Sequence, residues 1–239
     1  MQLEGRSAIV TGSTKGIGFA VSEALLGQGA NVVVSARNQA EVEGTVKALS
    51  SKGSGRVAGR TCDVRVEDEV RELVSYAVSE FGGLDILVNN AGIGRFARVE
   101  EMSAEHWRQT IETNLNSLFY ASHYAIPHLK MGDGGFILNI GSLAGKNAFP
   151  TGAAYNASKF GLIGFSEALM QEVRHDGIQV AYIMPGSVDT WFGGTPPVGE
   201  DSWKMKAEDV AQVVVETLSR SATCLTSRIE MRPPRPPKK

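Results

Sequence analysis

The sequence is poor in cysteine, balanced in charge and free of long apolar runs. Two cysteines, Cys62 and Cys224, stand far apart among 239 residues. They form no metal-ligand spacing and no disulfide framework. Cys62 has apolar flanks and reads as a small core residue. The formal net charge is −2. That balance gives no electrostatic basis for a nucleic-acid or anionic-membrane partner. No stretch of about 18 consecutive apolar residues exists, so no membrane span is expected. Residues 1–5 show no signal-peptide pattern, and a cytoplasmic location is the expectation. Repeats and low-complexity blocks are also missing. The hydrophobic share of 42% and charged share of 21% are those of an ordinary globular chain.

What is present is alternation. Short Val/Ile/Leu runs predict strands over residues 7–11, 31–36, 56–62, 84–89, 135–140, 179–184 and 228–231. Helical periodicity falls between them, over 17–29, 39–51, 67–81, 103–131, 154–176 and 206–219. In 67–81, Val70, Leu73, Val74, Ala77 and Val78 share one face opposite a charged one. Nearly continuous apolar strands suit burial on both sheet faces. The expectation is one α/β domain over residues 1–239, of Rossmann type. It would be a doubly wound, mostly parallel, seven-stranded sheet with helices on both faces. Residues 191–205 hold Gly193, Gly194, Pro196, Pro197 and Gly199, and read as a short loop over a substrate. Residues 232–239 read as a basic, Pro-rich, solvated tail.

The first strand runs into Thr11-Gly12-Ser13-Thr14-Lys15-Gly16-Ile17-Gly18, and a helix follows. Glycines there permit a tight turn, and the helix N-terminus offers N–H groups to a pyrophosphate. Glycine-rich turns are common, but the position between first strand and first helix favours a dinucleotide site. The second strand ends Ser35-Ala36-Arg37-Asn38, and no acid follows before Glu41. An NAD site usually puts an acid there for the ribose 2′-hydroxyl. Arg37, with Lys15, can instead pair with a 2′-phosphate, so NADP is favoured over NAD. Both can equally be solvated surface bases.

Tyr155 and Lys159 lie four apart and share a helix face. A nearby ammonium would lower the phenol from its ordinary value near 10 and fit Tyr155 for proton transfer. Such a pair on an exposed helix is otherwise unremarked. Ser142 follows the fifth strand, thirteen residues before Tyr155; it can bind a reacting oxygen or cap a turn. Asn114 sits within a helical stretch that disfavours Asn unless its side chain is used.

With these residues in view, the chain resembles the short-chain dehydrogenase/reductase family over essentially its whole length. Thr11 to Gly18 looks like the family's TGxxxGxG turn. Asp63-Val64 resembles its adenine-contacting pair, and Asn89-Asn90-Ala91-Gly92 its NNAG element. Asn114, Ser142, Tyr155 and Lys159 take the places of its catalytic tetrad. Pro185-Gly186-Ser187-Val188-Asp189-Thr190 resembles its PG-x-V-x-T segment. The resemblance implies that Tyr155 is the acid/base and that Lys159 binds the nicotinamide ribose. It implies that Ser142 orients the carbonyl and that Asn114 holds a water that relays protons. Asn90, Ala91, Gly92, Pro185, Gly186, Val188 and Thr190 would contact the cofactor. It implies a homodimer or homotetramer through the helices over 103–131 and 154–176. The resulting expectation is an NADP-dependent carbonyl reductase or alcohol dehydrogenase acting on a small molecule. A 3-oxoacyl-[acyl-carrier-protein] reductase is the alternative, set back by the ending Arg228-Ile229-Glu230-Met231. A non-catalytic dinucleotide sensor is the reading from another class. An epimerase would need more than the roughly 50 residues that follow Pro185. Ile93, Phe96, Phe149, Trp191 and Phe192 can line a pocket or fill the core.

Overall fold

The computed structural model describes residues 1–132, 134–194, 196–199, 202–221 and 223–237. Thr195, Glu200 and Asp201 of the expected loop, and Lys238 and Lys239 of the tail, lie outside them. Seven strands form one sheet: β1 Ser7–Thr11, β2 Asn31–Ala36, β3 Val57–Thr61, β4 Ile86–Asn89, β5 Gly135–Ile140, β6 Ile178–Pro185 and β7 Arg228–Met231. Their order is β3-β2-β1-β4-β5-β6-β7, and every pairing is parallel. The helices are α1 Gly16–Gly27, α2 Gln39–Leu49, α3 Glu67–Phe81, α4 Ala104–Ile111, α5 Ser117–Leu129, α6 Ala153–Val173 and α7 Ala207–Leu218.

The strands are buried on both faces, as their unbroken apolar runs require. On one face Ala8, Val10, Val32, Val34, Ile86 and Val88 meet Val21 and Leu25 of α1 and Val210 and Val214 of α7. On the other, Ile9, Val33, Leu87 and Ile137 meet Leu73 and Val74 of α3, Ala125 of α5 and Leu169 of α6. The period of two along each strand thus divides one sheet between two cores. Cys62 is buried in the second core, where burial pushes its thiol up to about 12. It is an inert packing group.

Strand β4 starts two residues later than its apolar run. Asp85 precedes it, its carboxylate accepting from Ser7 N (2.8 Å), Ser7 Oγ (3.0 Å) and Arg6 Nη1 (2.7 Å). The long helix expected over 103–131 is also divided. A π turn over Glu112–Asn116 separates α4 from α5. Its cause is a tertiary hydrogen bond made by Asn114, described below. The order of strands reverses between β1 and β4, the place where an open α/β sheet leaves a crevice at its carboxyl edge.

Candidate active site

The crevice is built first by the turn after β1. Gly12 has φ +63°, and a Cβ there would lie 2.9 Å from Ala91 Cα. A Cβ on Gly18 would lie 2.4 Å from Gly12 O and 2.5 Å from Asn90 Nδ2. Neither position admits a larger residue without moving backbone. The Asn90 amide donates to Thr11 O and Gly12 O, both at 2.9 Å. Thr11 Oγ1 accepts from Asn90 N (3.0 Å) and Ala91 N (3.1 Å). The two halves of the sheet are therefore laced together under the turn. Asn90 serves this framework through its side chain. Ser13 does likewise: it is fully buried, its Oγ donates to Val10 O at 2.8 Å and accepts from Ser35 N at 2.7 Å. Its hydroxyl faces inward, away from any ligand on the turn.

Helix α1 then points its N-terminus into the crevice. No side chain caps it and its first turn holds no acid. By contrast α2 is capped by Asn38, and α3 opens with Glu67, Asp68 and Glu69. Bare N–H groups at the positive end of a helix dipole suit an external anion. Thr190 overhangs this turn, its Cβ and Cγ2 each 3.3 Å from where a Cβ of Gly16 would stand. Val188 pairs with Met205 in an isolated bridge. Asp189 N donates to Met205 O at 2.8 Å, and Asp189 Oδ2 accepts from Gly199 N at 2.8 Å. Asp189 thereby fastens the loop back onto the end of β6.

At the end of β2, Arg37 is exposed and, among the described residues, no carboxylate lies within ion-pair distance of it. Glu41 departs from the sequence expectation. It folds back to accept from Thr14 Oγ1 at 3.1 Å and sits 3.9 Å from Lys15 Nζ. Both partners of that ion pair are about half exposed, so it contributes little to stability. Asn38 caps α2 by accepting from Glu41 N, which turns the glutamate toward the glycine turn. An acid thus stands beside the turn although none closes the strand. Asp63 is likewise engaged: Arg65 Nε reaches both carboxylate oxygens, at 2.9 and 3.1 Å. The Arg65 guanidinium holds the Asp63 carboxyl below its ordinary value.

Of the tetrad residues, Asn114 lies in the π turn, Ser142 follows β5, and Tyr155 and Lys159 lie on α6. Asn114 is fully buried. Its Oδ1 accepts from Ile93 N at 2.8 Å; its Nδ2 donates to Ile93 O at 2.9 Å and to Ser158 Oγ at 3.1 Å. This doubly bonded backbone clasp draws the helix into its π turn, a deviation often found at functional sites. The side chain's donors are both used, so Asn114 positions the loop after β4 rather than presenting a free amide. Gly92 lies beside it: a Cβ there would be 3.5 Å from Asn114 Oδ1 and 3.8 Å from Lys159 Nζ.

Lys159 is buried to 5% exposure, and Nζ donates to Ile140 O at 2.9 Å. Burial draws its pKa down to about 8. An ammonium has three donors, and Ile140 O is the acceptor the described residues give it. Lys159 Nζ stands 5.8 Å from the centroid of the Tyr155 ring. Burial pushes the Tyr155 phenol above its ordinary value, and the neighbouring Ser142 hydroxyl offsets part of that rise. Lys159, expected from the sequence to lower that value, donates to Ile140 O, and burial weakens the ammonium itself. Of the two sequence readings of Ser142, the structure shows the turn cap. Its Oγ accepts from Ala144 N at 3.1 Å, capping the turn after β5.

Two residues escaped the sequence reading. Asn156 Nδ2 donates to Ala144 O at 2.6 Å, and its Oδ1 accepts from Phe149 N at 3.3 Å. It holds the Ser142 segment against α6. Ser158 receives Asn114 and donates to Tyr155 O at 2.7 Å. The signal was available for Asn156, an Asn within a helical stretch, by the same reasoning applied to Asn114.

Three findings place the chain among known proteins. The family model described as short chain dehydrogenase matches residues 6–195. D-beta-hydroxybutyrate dehydrogenase of Cupriavidus necator is 39% identical over 188 residues, 79% of this chain and 72% of that one. The 3-oxoacyl-[acyl-carrier-protein] reductase FabG of Chlamydia muridarum is 37% identical over 188 residues, 79% of this chain and 76% of that one. Among solved structures, an alcohol dehydrogenase of the archaeon Thermococcus sibiricus, complexed with 5-hydroxy-NADP, superposes with a TM-score of 0.91. It is 27% identical, with coverage of 98% of this chain and 99% of that one. The chain belongs to the short-chain dehydrogenase family, and it is an oxidoreductase of hydroxyl and carbonyl groups.

Proposed function

We propose that the protein interconverts a carbonyl compound and a secondary alcohol with NADP(H), with Tyr155 as the group that gives and takes the proton. The observation that carries this reading is the grouping of buried Tyr155 and Lys159 with half-buried Ser142 at the carboxyl edge of the sheet, on the same side as the bare N-terminus of α1.

The residues fit a nicotinamide dinucleotide. Gly12 and Gly18 leave a cradle that a Cβ would fill. Lys159 is a buried ammonium with two donors to spare, a suitable partner for ribose hydroxyls. Thr14, Lys15, Gly16, Ile17 and Gly18 would hold the pyrophosphate. Arg37 would hold the 2′-phosphate, while Asp63 and Val64 would border the adenine. Ala91, Gly92, Pro185, Gly186, Val188 and Thr190 would border the nicotinamide half. When bound, the cofactor supplies or accepts the hydride.

The chain's own residues do the rest. Ser142 donates to the substrate oxygen and stabilises negative charge growing there. Tyr155 transfers its proton to that oxygen during reduction and recovers it during oxidation. The positive charge of Lys159 favours the phenolate. Asn114 fixes the loop carrying Ile93 so that the site keeps its shape. The net change in reduction is one hydride to the carbonyl carbon and one proton to its oxygen.

The relative from Chlamydia muridarum keeps acyl thioesters in the panel of trial substrates. The test is cofactor oxidation with ketones, aldehydes and acyl thioesters, for the wild type and Tyr155→Phe. Turnover that falls by about 10²–10⁴-fold in the variant, with dinucleotide binding kept, is the expected result. Unchanged turnover, or none with any carbonyl in the wild type, overturns the reading and favours a dinucleotide sensor. Assembly through α4, α5 and α6 belongs to the same proposal. Trp107, Phe119 and Phe160 are exposed there, and a monomer in light scattering would refute it.

A further inference from the structure

Three loops bring phenylalanines together beside Tyr155, two of them onto its ring and the third onto Phe96. Phe96 follows β4, Phe149 follows β5 and Phe192 follows β6. Phe96 is the hub: its ring centroid lies 5.7 Å from Phe149, 5.7 Å from Tyr155 and 6.5 Å from Phe192. Phe192 is 5.5 Å from Tyr155. The rings are tilted by 53 to 76°, within the edge-to-face range that aromatic quadrupoles prefer. Yet Phe96, Phe149 and Phe192 are 47%, 41% and 43% exposed. Rings in mutual contact and still nearly half open line an opening; they do not fill a core.

The backbone is shaped to this cluster. A Cβ on Gly94 would lie 2.7 Å from the Phe192 ring and 2.8 Å from the Phe96 ring. A Cβ on Gly152 would lie 2.6 Å from the Phe149 ring. Ala97 N donates to Thr151 O at 3.0 Å, tying the Phe96 loop to the Phe149 loop. Thr151 itself is held at φ 66°, strain that a β-branched residue keeps where the surroundings over-determine it. Of the bases in these segments, Lys146 pairs with Glu230, Lys204 approaches Asp189 and Arg98 pairs with Glu100, whereas Arg95 forms no ion pair among the described residues.

We propose that Phe96, Phe149 and Phe192 form an aryl-binding cup, and that the preferred substrate carries a planar aromatic group beside the reacting carbonyl. The inference rests on Tyr155 being the proton donor, because Phe96 and Phe192 pack on its ring. The ring of Phe192 against Tyr155 and Phe96 shows what this space accepts. The competing occupant is a carboxylate-bearing substrate held by Arg95, which is exposed and adjacent to Phe96.

The test compares acetophenone, cyclohexyl methyl ketone and acetoacetate with NADPH, for the wild type, Phe96→Leu and Arg95→Ala. The two ketones match in size and differ in planarity. Acetophenone should win by about tenfold in kcat/KM, the size of one ring contact. Phe96→Leu should erase that ratio through KM, with kcat for acetophenone nearly kept. Equal constants for the two ketones overturn the cup, as does a Leu variant that keeps the ratio. Preference for acetoacetate that Arg95→Ala removes also overturns it. Saturation-transfer NMR of acetophenone on Tyr155→Phe protein separates the two proposals. Ring binding lost in Phe96→Leu, with no carbonyl reduced by the wild type, leaves the cup standing and the oxidoreductase reading refuted. Absence of ring binding with other carbonyls reduced refutes the cup alone.

Discussion

The Lys159 ammonium lies 5.8 Å from the centre of the Tyr155 ring while its hydrogen bond goes to Ile140 O. The site therefore stores a buried charge whose acceptor among the described residues is one backbone carbonyl. Burial holds Lys159 at about 8, against 10.5 for a free lysine. The folded state binds this proton less tightly than the unfolded chain does. Folding stability must then rise with pH between about 8 and about 10.5, and below 8 the full penalty is present.

Lys159→Met should raise the stability of the cofactor-free protein at pH 7.5 and abolish turnover. The advantage should shrink at pH 9.5. Urea unfolding of both proteins at the two pH values decides it. An advantage of equal size at both would mean that desolvation of the ammonium is not its source.

Cofactor choice should respond in opposite directions to two charges. Arg37→Ala should lower kcat/KM for NADPH by about ten- to a hundredfold, the range of a charge-assisted contact, with NADH nearly unaffected. Glu41→Gln should raise kcat/KM for NADPH several-fold, because it frees Lys15 and removes a repelling carboxylate. Steady-state kinetics with both cofactors measure this. A Glu41 variant that loses NADPH activity would show that the acid helps to bind the ribose.

Asn114→Ala leaves the Ile93 N–H and C=O without their side-chain partners and opens a buried space beside Ser158. Stability should fall by about 2–4 kcal/mol. Turnover should drop on the order of a hundredfold through misplacement of the site. Chemical denaturation and single-turnover kinetics test both. Wild-type kcat in a destabilised variant would limit Asn114 to packing.

Thr151→Gly should stabilise the fold by about 1 kcal/mol, since φ 66° suits glycine. The bond from Ala97 N to Thr151 O uses backbone and should persist. A lower melting temperature in calorimetry would show that the threonine side chain contributes more than its strain removes.

Strands were legible in the sequence because two-sided burial writes itself as unbroken Val, Ile and Leu runs, as in Val32-Val33-Val34. Their parallel pairing was legible from alternation with helices. The glycine turn and the Tyr155–Lys159 spacing were legible because both are local. What stayed hidden depends on distant partners. The division of α4 from α5 follows from Asn114 meeting Ile93, 21 residues away. The inward turn of the Ser13 hydroxyl follows from Ser35 on the neighbouring strand. Glu41 reached the glycine turn through a cap geometry that spacing alone does not specify. The convergence of Phe96, Phe149 and Phe192 needed three loops to be folded at once.

The lacing of Asn90 to Thr11 and Gly12 also bears on the order of assembly. The acceptors belong to the first strand and its turn, while the donor is 78 and 79 residues downstream. Nothing local can replace it. During synthesis the first half of the sheet must wait for β4 before its own turn is fixed, and such distant pairing is slow to close. Until then the crevice edge is an open seam with bare strand groups, the state most exposed to mispairing. Competence to hold a dinucleotide should therefore emerge late and all at once, when the two halves meet.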